Sequence, residues 1–316
     1  MNQPIKLVND ELSKVIIGRS KETKLLFTAL IAKGHVLLED LPGLGKTVMA
    51  KAFSRVIDCT FTRIQCTPDL LPSDVIGTTV FHPQKSEFEF KRGPIFNQIV
   101  LVDEINRALP RTQSSFLESM EERQISIEGR TLQLQEPFFI IATQNPIEME
   151  GTFPLPEAQL DRFLMNIQFG YLSLEEEVEM IEKVGDALPF EQLEEILSPA
   201  DIKVLQTESE QVTVRSEIVQ YIVALANETR NHSLVSVGVS PRGTKALYKT
   251  IKVWALLNGR SYVLPDDVKD LLPYVWGHRL VLKSEVRLTG KTGVDILTEI
   301  VNKTEIPKEK VGRYHD

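Results

Sequence analysis

The sequence predicts an α/β fold: a parallel five-stranded sheet layered between helices, followed by a C-terminal all-helical domain. Three observations carry that expectation. Two segments of the first half, IVLV and FFIIA, are almost continuously apolar, as strands buried on both faces of a parallel sheet must be. Strand-like segments alternate there with stretches of helical spacing, the pattern of an α/β layered domain. From about Leu174 onward the pattern turns helical, with no strand alternation of comparable length.

Taken in order, the five strand candidates are HVLLE (35–39), FTRIQC (61–66), QIVLVDE (98–104), FFIIATQ (138–144) and NIQFGYL (166–172). Between the first two, TVMAKAFSRVI places Val48, Met49, Ala52, Phe53 and Val56 at helical spacing. Two inserts interrupt the plan. TVFHPQKSEFEF (79–90) alternates around a His82-Pro83 turn, and ISIEGRTLQL (125–134) alternates on both sides of Glu128-Gly129-Arg130 and predicts a hairpin. The helical segments of the second half are LEEEVEMIEKV, FEQLEEIL, SEIVQYIVALANETR, SPRGTKALYKTIKVWALL and PDDVKDLLPYV. Ser240 is placed to cap a helix that starts at Pro241, with Leu247, Ile251 and Trp254 on one face. The expected domains are residues 1–197 and 198–316.

Composition narrows the class. A chain of 316 residues with 42% hydrophobic and 25% charged residues is globular, not disordered or fibrous. No run approaches the ~18 apolar residues of a membrane-spanning helix, so no direct membrane insertion is expected. MNQPIKLVNDELSK lacks an apolar leader segment, and the expected compartment is the cytoplasm. Two cysteines, Cys59 and Cys66, exclude a disulfide scaffold or a cysteine-based zinc site. The five histidines show no metal spacing. The net charge of −8 argues against a general nucleic-acid binder, although a local basic groove is compatible with it.

The strongest motif is HVLLED-LPGLGKT-VMAKAF: strand, Pro/Gly loop, Gly45-Lys46-Thr47, then an amphipathic helix. Gly43 and Gly45 let successive backbone N–H groups turn toward phosphate oxygens, and the helix start adds its positive end. Lys46 reaches the β- and γ-phosphates, and the Thr47 hydroxyl ligates Mg²⁺. Pro42, Leu44 and Val48 complete the expected nucleotide contacts. Asp40 replaces the glycine that opens the strict G-x-x-x-x-G-K-[ST] pattern. Gly290-Lys291-Thr292 repeats the tripeptide without the flanking glycine, strand or helix, and is expected to be an ordinary loop.

Asp103-Glu104 close the third apolar strand. Adjacent side chains at a strand end point differently. The first carboxylate can meet Mg²⁺ through water, and the second can orient or deprotonate the attacking water. Two carboxylates rather than one argue for hydrolysis over nucleotide storage. Asn145 closes the next strand, where a polar side chain would lie beside them; taken alone, Asn-Pro is also a good turn starter.

These strings in this order resemble the AAA+ ATPases. KRGPIF, DEINRA, ATQNP, EAQLDRF and SPRG together narrow the resemblance to the MoxR family, over nearly the whole chain from VIIGR (15–19) to the last helices. The resemblance implies an αβα P-loop NTPase core with a helical lid and ATP with Mg²⁺ at their junction. It implies a ring, usually a hexamer, acting as a chaperone-like ATPase on protein clients, often with a partner bearing a von Willebrand factor A (VWA) domain. The two inserts would be the helix-2 insert and the pre-sensor-1 hairpin, near the ring pore. Arg162, in LDRF, would be an arginine finger offered to the neighbouring subunit, or alternatively a surface pair with Asp161. Arg242, in SPRG, would be the sensor-2 arginine, or a solvated helix residue. Ile16, Ile17 and Gly18 would pack on adenine, or belong to the core. Arg107 is a lesser candidate for facing a neighbour. Two rivals share these motifs, a nucleic-acid motor and a metal-chelatase-type motor subunit; the acidic balance counts against the first.

Overall fold

The apolar runs near residues 100 and 140 form the middle of the sheet in the computed structural model, which describes residues 3–39, 43–84, 86–127, 129–145, 151–183 and 190–306. The chain divides into two compact units, Met1–Gln206 and Thr207–Asp316. The boundary expected near Leu197 lies shortly before this division, which falls within a helix that starts at Pro199.

In the first unit, helices α1 (Gln3–Leu12) and α2 (Ser20–Ile31) lead to β1 (Val36–Glu39), α3 (Lys46–Val56) and β2 (Phe61–Gln65). Next come α4 (Pro72–Ile76), the hairpin strands β3 (Gly77–His82) and β4 (Glu87–Arg92), and β5 (Ile99–Asp103). Helix α5 (Pro110–Glu122) runs into a second hairpin, β6 (Gln124–Ile127) and β7 (Arg130–Gln133), which returns to β8 (Phe139–Gln144). The unit continues through α6 (Glu157–Leu160), β9 (Met165–Ile167) and α7 (Leu174–Lys183) into α8 (Pro199–Glu210), within which it ends at Gln206.

The five expected strands pair in the order β2-β5-β8-β1-β9, all parallel. Ile99–Val102 and Phe139–Ala142 are fully buried, which is why both runs lack polar alternation. Alternate residues feed two cores. Phe139 meets Phe53 of α3, which meets Phe27 of α2 edge-on, each pair 6.3 Å apart. On the other face Val100, Val102, Ile140 and Ala142 pack with Phe116, Leu117 and Met120 of α5 and with Phe163. Strand β1 therefore delivers its following loop between β8 and β9, at the carboxyl ends of the strands where α/β sheets bind ligands.

Three segments depart from expectation. The strand expected over 166–172 ends at Ile167. Gly170 takes a φ of 63°, and the carbonyls of Phe169 and Gly170 accept from the Arg19 guanidinium instead of a ladder partner. FEQLEEIL forms only a short turn at Phe190–Gln192. Its backbone donors are claimed elsewhere: Glu194 N–H by Glu11 Oε1 at 2.8 Å, and Ile196 and Leu197 N–H by the Val56 carbonyl at 2.8 and 3.1 Å. The first insert forms the alternating hairpin expected around His82-Pro83, but two exposed aromatics, Phe81 and Phe88, pair near its tip with ring centroids 5.2 Å apart.

The second unit holds α9 (Ser216–Asn231), β10 (Val235–Val237), α10 (Pro241–Leu257), α11 (Pro265–Trp276), β11 (Val281–Leu282), α12 (Ser284–Arg287) and α13 (Gly293–Lys303). It is helical, with one short antiparallel pair, β10 and β11, that the sequence pattern did not reveal. Ser240 Oγ accepts the Gly243 N–H at 3.1 Å, and Leu247, Ile251 and Trp254 are buried on one side of α10. Trp276 donates to the Gly243 carbonyl at 2.9 Å, locking α11 to the first turn of α10. At the second G-K-T, Thr292 caps α13 and Lys291 pairs with Glu299 at 2.6 Å, both structural uses.

Candidate active site

Gly43 and Gly45 have φ of 86° and 81°, the left-handed region. A side chain there would cost roughly 1–2 kcal/mol. A Cβ built on either meets no atom within 4 Å, so the loop is open on its concave side. Lys46 and Thr47 open α3, whose first N–H groups have no intrahelical acceptor and point into the same space. Open glycines, a helix start, an ammonium and a hydroxyl form a donor set that fits a metal–triphosphate. Pro42, expected in the loop, and Asp40 lie outside the described residues.

A cavity of about 610 Å³ opens from this loop within the first unit. Ile16, Ile17, Gly43, Leu44, Gly45 and Val48 line it, together with Met49, Tyr171, Met180 and Ile181. Gly18 does not. Its φ is 69°, a left-handed turn that favours glycine, and the atoms a Cβ there would meet belong to the flexible end of Glu176. Met180 and Ile181 escaped the sequence reading. Their signal was present in α7, an acidic helix whose Leu174, Val178 and Ile181 remain exposed.

Asp103 ends β5 and accepts on both oxygens. Oδ1 takes the Thr143 hydroxyl at 2.6 Å, and Oδ2 takes Arg63 through Nε and Nη2 at 3.0 and 2.6 Å. Glu104 lies in the left-handed region, with φ 56° and ψ 51°, which turns its side chain away from that of Asp103. Its N–H donates to Thr143 Oγ1 at 2.8 Å. Its Oε2 accepts from Gln65 Nε2 at 2.9 Å and from Arg107 at 3.1 Å. Arg107 thus pairs with the second carboxylate of its own chain. Arg63 also donates to Gln65 Oε1 at 2.5 Å, so one network joins both carboxylates to β2. Arg63, Gln65 and Thr143 were missed. The alternation of FTRIQ puts Arg63 and Gln65 on one side of the strand, but only the register, with Gln65 opposite Asp103, brings them to the site.

Asn145 directly follows β8, the strand between β5 and β1, and so emerges between the carboxylates and the glycine loop. Arg162 follows α6, and its Nε lies 3.2 Å from Glu121 Oε2, so its ion partner is Glu121. Arg242 is exposed on the first turn of α10, in the second unit. Cys59 and Cys66 are buried, and desolvation pushes both thiols up to about 12. Among the described residues no cluster of three or more His, Cys, Asp or Glu could hold a metal alone.

Comparison with known proteins agrees in both units. Residues 35–165 match the model of the ATPase family associated with various cellular activities (AAA), and residues 227–300 match the AAA lid domain. The uncharacterized protein YeaC of Bacillus subtilis is 46% identical over 95% of this chain and 94% of its own length. Chaperone MoxR1 of Mycobacterium tuberculosis is 40% identical over 94% of this chain and 81% of its own. The crystal structure of a candidate ATPase from Cytophaga hutchinsonii superposes with a TM-score of 0.91 at 38% identity, covering 97% of this chain and 96% of that one. With a glycine loop, an acidic strand end and relatives of this identity over almost its full length, the chain belongs to the MoxR family of AAA+ ATPases, enzymes that hydrolyse ATP.

Proposed function

We propose that this chain assembles as a hexameric ring and uses ATP hydrolysis to remodel or mature partner protein complexes, together with a VWA-domain protein, in the cytoplasm. The observation that carries the reading is the opening of the cavity at Gly43 and Gly45, on the same edge of the sheet as the strand end that holds Asp103 and Glu104, one strand away. Among the described residues no helix is long and apolar enough to cross a membrane.

The chemistry follows from the residues. Ile16, Ile17, Leu44 and Val48 offer apolar surface to the base. Loop amides and Lys46 hold the phosphates, and Thr47 and Asp103 would hold Mg²⁺, which when bound offsets charge on the β- and γ-oxygens. Glu104 accepts a proton from the attacking water, and Asn145 orients that water or the γ-phosphate. Arg162 of one subunit stabilises charge developing in its neighbour's site, and Arg242 couples the lid to the γ-phosphate.

The test is assembly and capture with Glu104→Gln held in ATP. A hexamer by mass photometry, retaining a VWA-domain protein in pull-down, is the expected result. A monomer at saturating ATP would remove the ring and the shared site together.

A further inference from the structure

We propose that Glu121 is the positioning residue for Arg162: it holds the guanidinium in the orientation in which one subunit offers it to the ATP of the next. The inference rests on the reading of Arg162 as a finger acting in trans.

The ion pair is built on a frame that fixes both partners. His35, just before β1, is buried and links three neighbouring segments. Its Nδ1 accepts the Ile140 N–H at 2.9 Å, so Nε2 carries the proton and donates to the Met120 carbonyl at 3.1 Å. Its own carbonyl accepts the Leu164 N–H at 2.8 Å. One residue therefore ties down position 120, next to Glu121, and position 164, two residues beyond Arg162. Arg123, on the other side of Glu121, donates to the Lys33 carbonyl at 2.6 Å. Phe163, directly after Arg162, is fully buried. The backbones of both partners are thus anchored in the core, while their side chains remain about a third exposed, 41% for Glu121 and 32% for Arg162.

A half-exposed ion pair contributes little to stability, so the Glu121–Arg162 contact is not needed for folding, while the anchored backbones fix where the two side chains meet. The contact is made at Nε. Arginine carries five N–H donors, so a carboxylate at Nε leaves terminal N–H groups over for a second anion, on a side chain that is 32% exposed. Arginine is otherwise a long side chain with many rotamers. A tether at Nε removes most of them before the neighbour's γ-phosphate arrives.

The experiment compares Glu121→Gln, Glu121→Asp, Arg162→Ala and Glu121→Gln/Arg162→Ala. For Glu121→Gln we expect kcat to fall by ~10–100-fold, the scale of a small misplacement of a catalytic group. The KM, the affinity for a fluorescent ATP analogue and the melting temperature should be unchanged. Glu121→Asp, which keeps the charge with a shorter reach, should be intermediate. The double variant should be no slower than Arg162→Ala, and mixing Glu121→Gln with Lys46→Ala should restore turnover, because the latter supplies an intact pair to the former's site. Wild-type kcat for Glu121→Gln beside an inactive Arg162→Ala overturns the positioning role alone. Wild-type kcat for Arg162→Ala overturns the finger itself. A double variant slower than Arg162→Ala shows that Glu121 acts elsewhere. If Glu121→Gln does not fold, Glu121→Asp decides: reduced kcat supports the role and wild-type kcat defeats it.

Discussion

Arg63 on β2 and Asp103 at the end of β5 are joined by two hydrogen bonds to a single carboxylate oxygen, at 3.0 and 2.6 Å, while the other oxygen takes the Thr143 hydroxyl. The carboxylate of the proposed metal site is therefore oriented from both neighbouring strands. Removing such an orienting partner typically costs ~10–100-fold in metal affinity or activity. Arg63→Met should raise the Mg²⁺ concentration needed for half-maximal turnover within that range. Arg63→Lys should recover only part of the loss, since an ammonium cannot reproduce the planar two-nitrogen contact. Magnesium titration of steady-state hydrolysis measures both.

Glu104 is held by Gln65 and Arg107. A glutamine in its place can still accept from both through its carbonyl oxygen, so the network survives while the basic oxygen is lost. Glu104→Gln should bind ATP as the wild type does and turn over ~10²–10⁴-fold more slowly, the usual loss for a general base. Calorimetry and phosphate release together distinguish this from a folding defect. Near-normal turnover would remove Glu104 from that role.

Lys46 opens α3 immediately after Gly45, whose φ of 81° sets the direction of the first turn. Lys46→Ala removes the one side-chain cation of the loop and leaves the backbone cradle intact, because alanine is the best helix former. Titration calorimetry with ATP and Mg²⁺ should then show no measurable binding, with the melting temperature of the free protein unchanged. Unaltered affinity would defeat the loop assignment.

The fold was legible wherever one periodicity dominated. Short, continuous apolar runs at β5 and β8, set among helical stretches, pointed to buried parallel strands, and the glycine loop declared itself through P-G-x-G-K-T between strand and helix. Legibility failed where tertiary bonds outbid local pattern. Gly170 and the Arg19 guanidinium stop a segment whose composition suits a strand. Beyond one short turn, the FEQLEEIL backbone bonds to Glu11 and Val56, more than a hundred residues away. At the site, residues carried by their own motif were visible, such as Lys46, Asp103 and Glu104. Arg63, Gln65, Thr143 and Glu121 were not, because each acquires its meaning from a partner brought near only by strand order or helix packing.

Cys59 and Cys66 are pushed up to about 12, in both cases chiefly by burial, with Asp103 and Glu104 adding repulsion at Cys66. Both thiols should be inert to Ellman's reagent near neutrality until the protein unfolds, since the thiolate is the reactive form. The sign of the linkage follows. Unfolded thiols ionise near 9 and folded ones near 12, so the unfolded state loses protons first as pH rises. Their contribution to stability is full below pH 9 and lost between pH 9 and 12. Cys66→Ala should flatten part of that alkaline fall in denaturant midpoints, and an unchanged pH profile would mean that the thiol ionises freely in the native state.

Asp267, at 3% exposure, holds the second unit's α11 in place with three bonds. Its Oδ2 accepts the Leu264 N–H at 2.7 Å and Arg260 Nη1 at 2.7 Å, and its Oδ1 accepts Arg260 Nη2 at 2.5 Å. This hydrogen bonding raises the already high pKa of Arg260, so the cation persists throughout the working pH range. Removing Asp267 leaves the Arg260 guanidinium, 21% exposed, without this partner and the helix start uncapped. Asp267→Ala should therefore cost ~1.5–3 kcal/mol, the scale of hydrogen bonds to charged groups. Asp267→Asn keeps an acceptor for Leu264 and should cost less. Arg260→Met/Asp267→Ala, which leaves neither charge stranded, should recover part of the loss. Urea denaturation of the four proteins tests the order, and a double variant worse than both single ones would show that the site depends on the ion pair itself rather than on avoiding an orphaned charge.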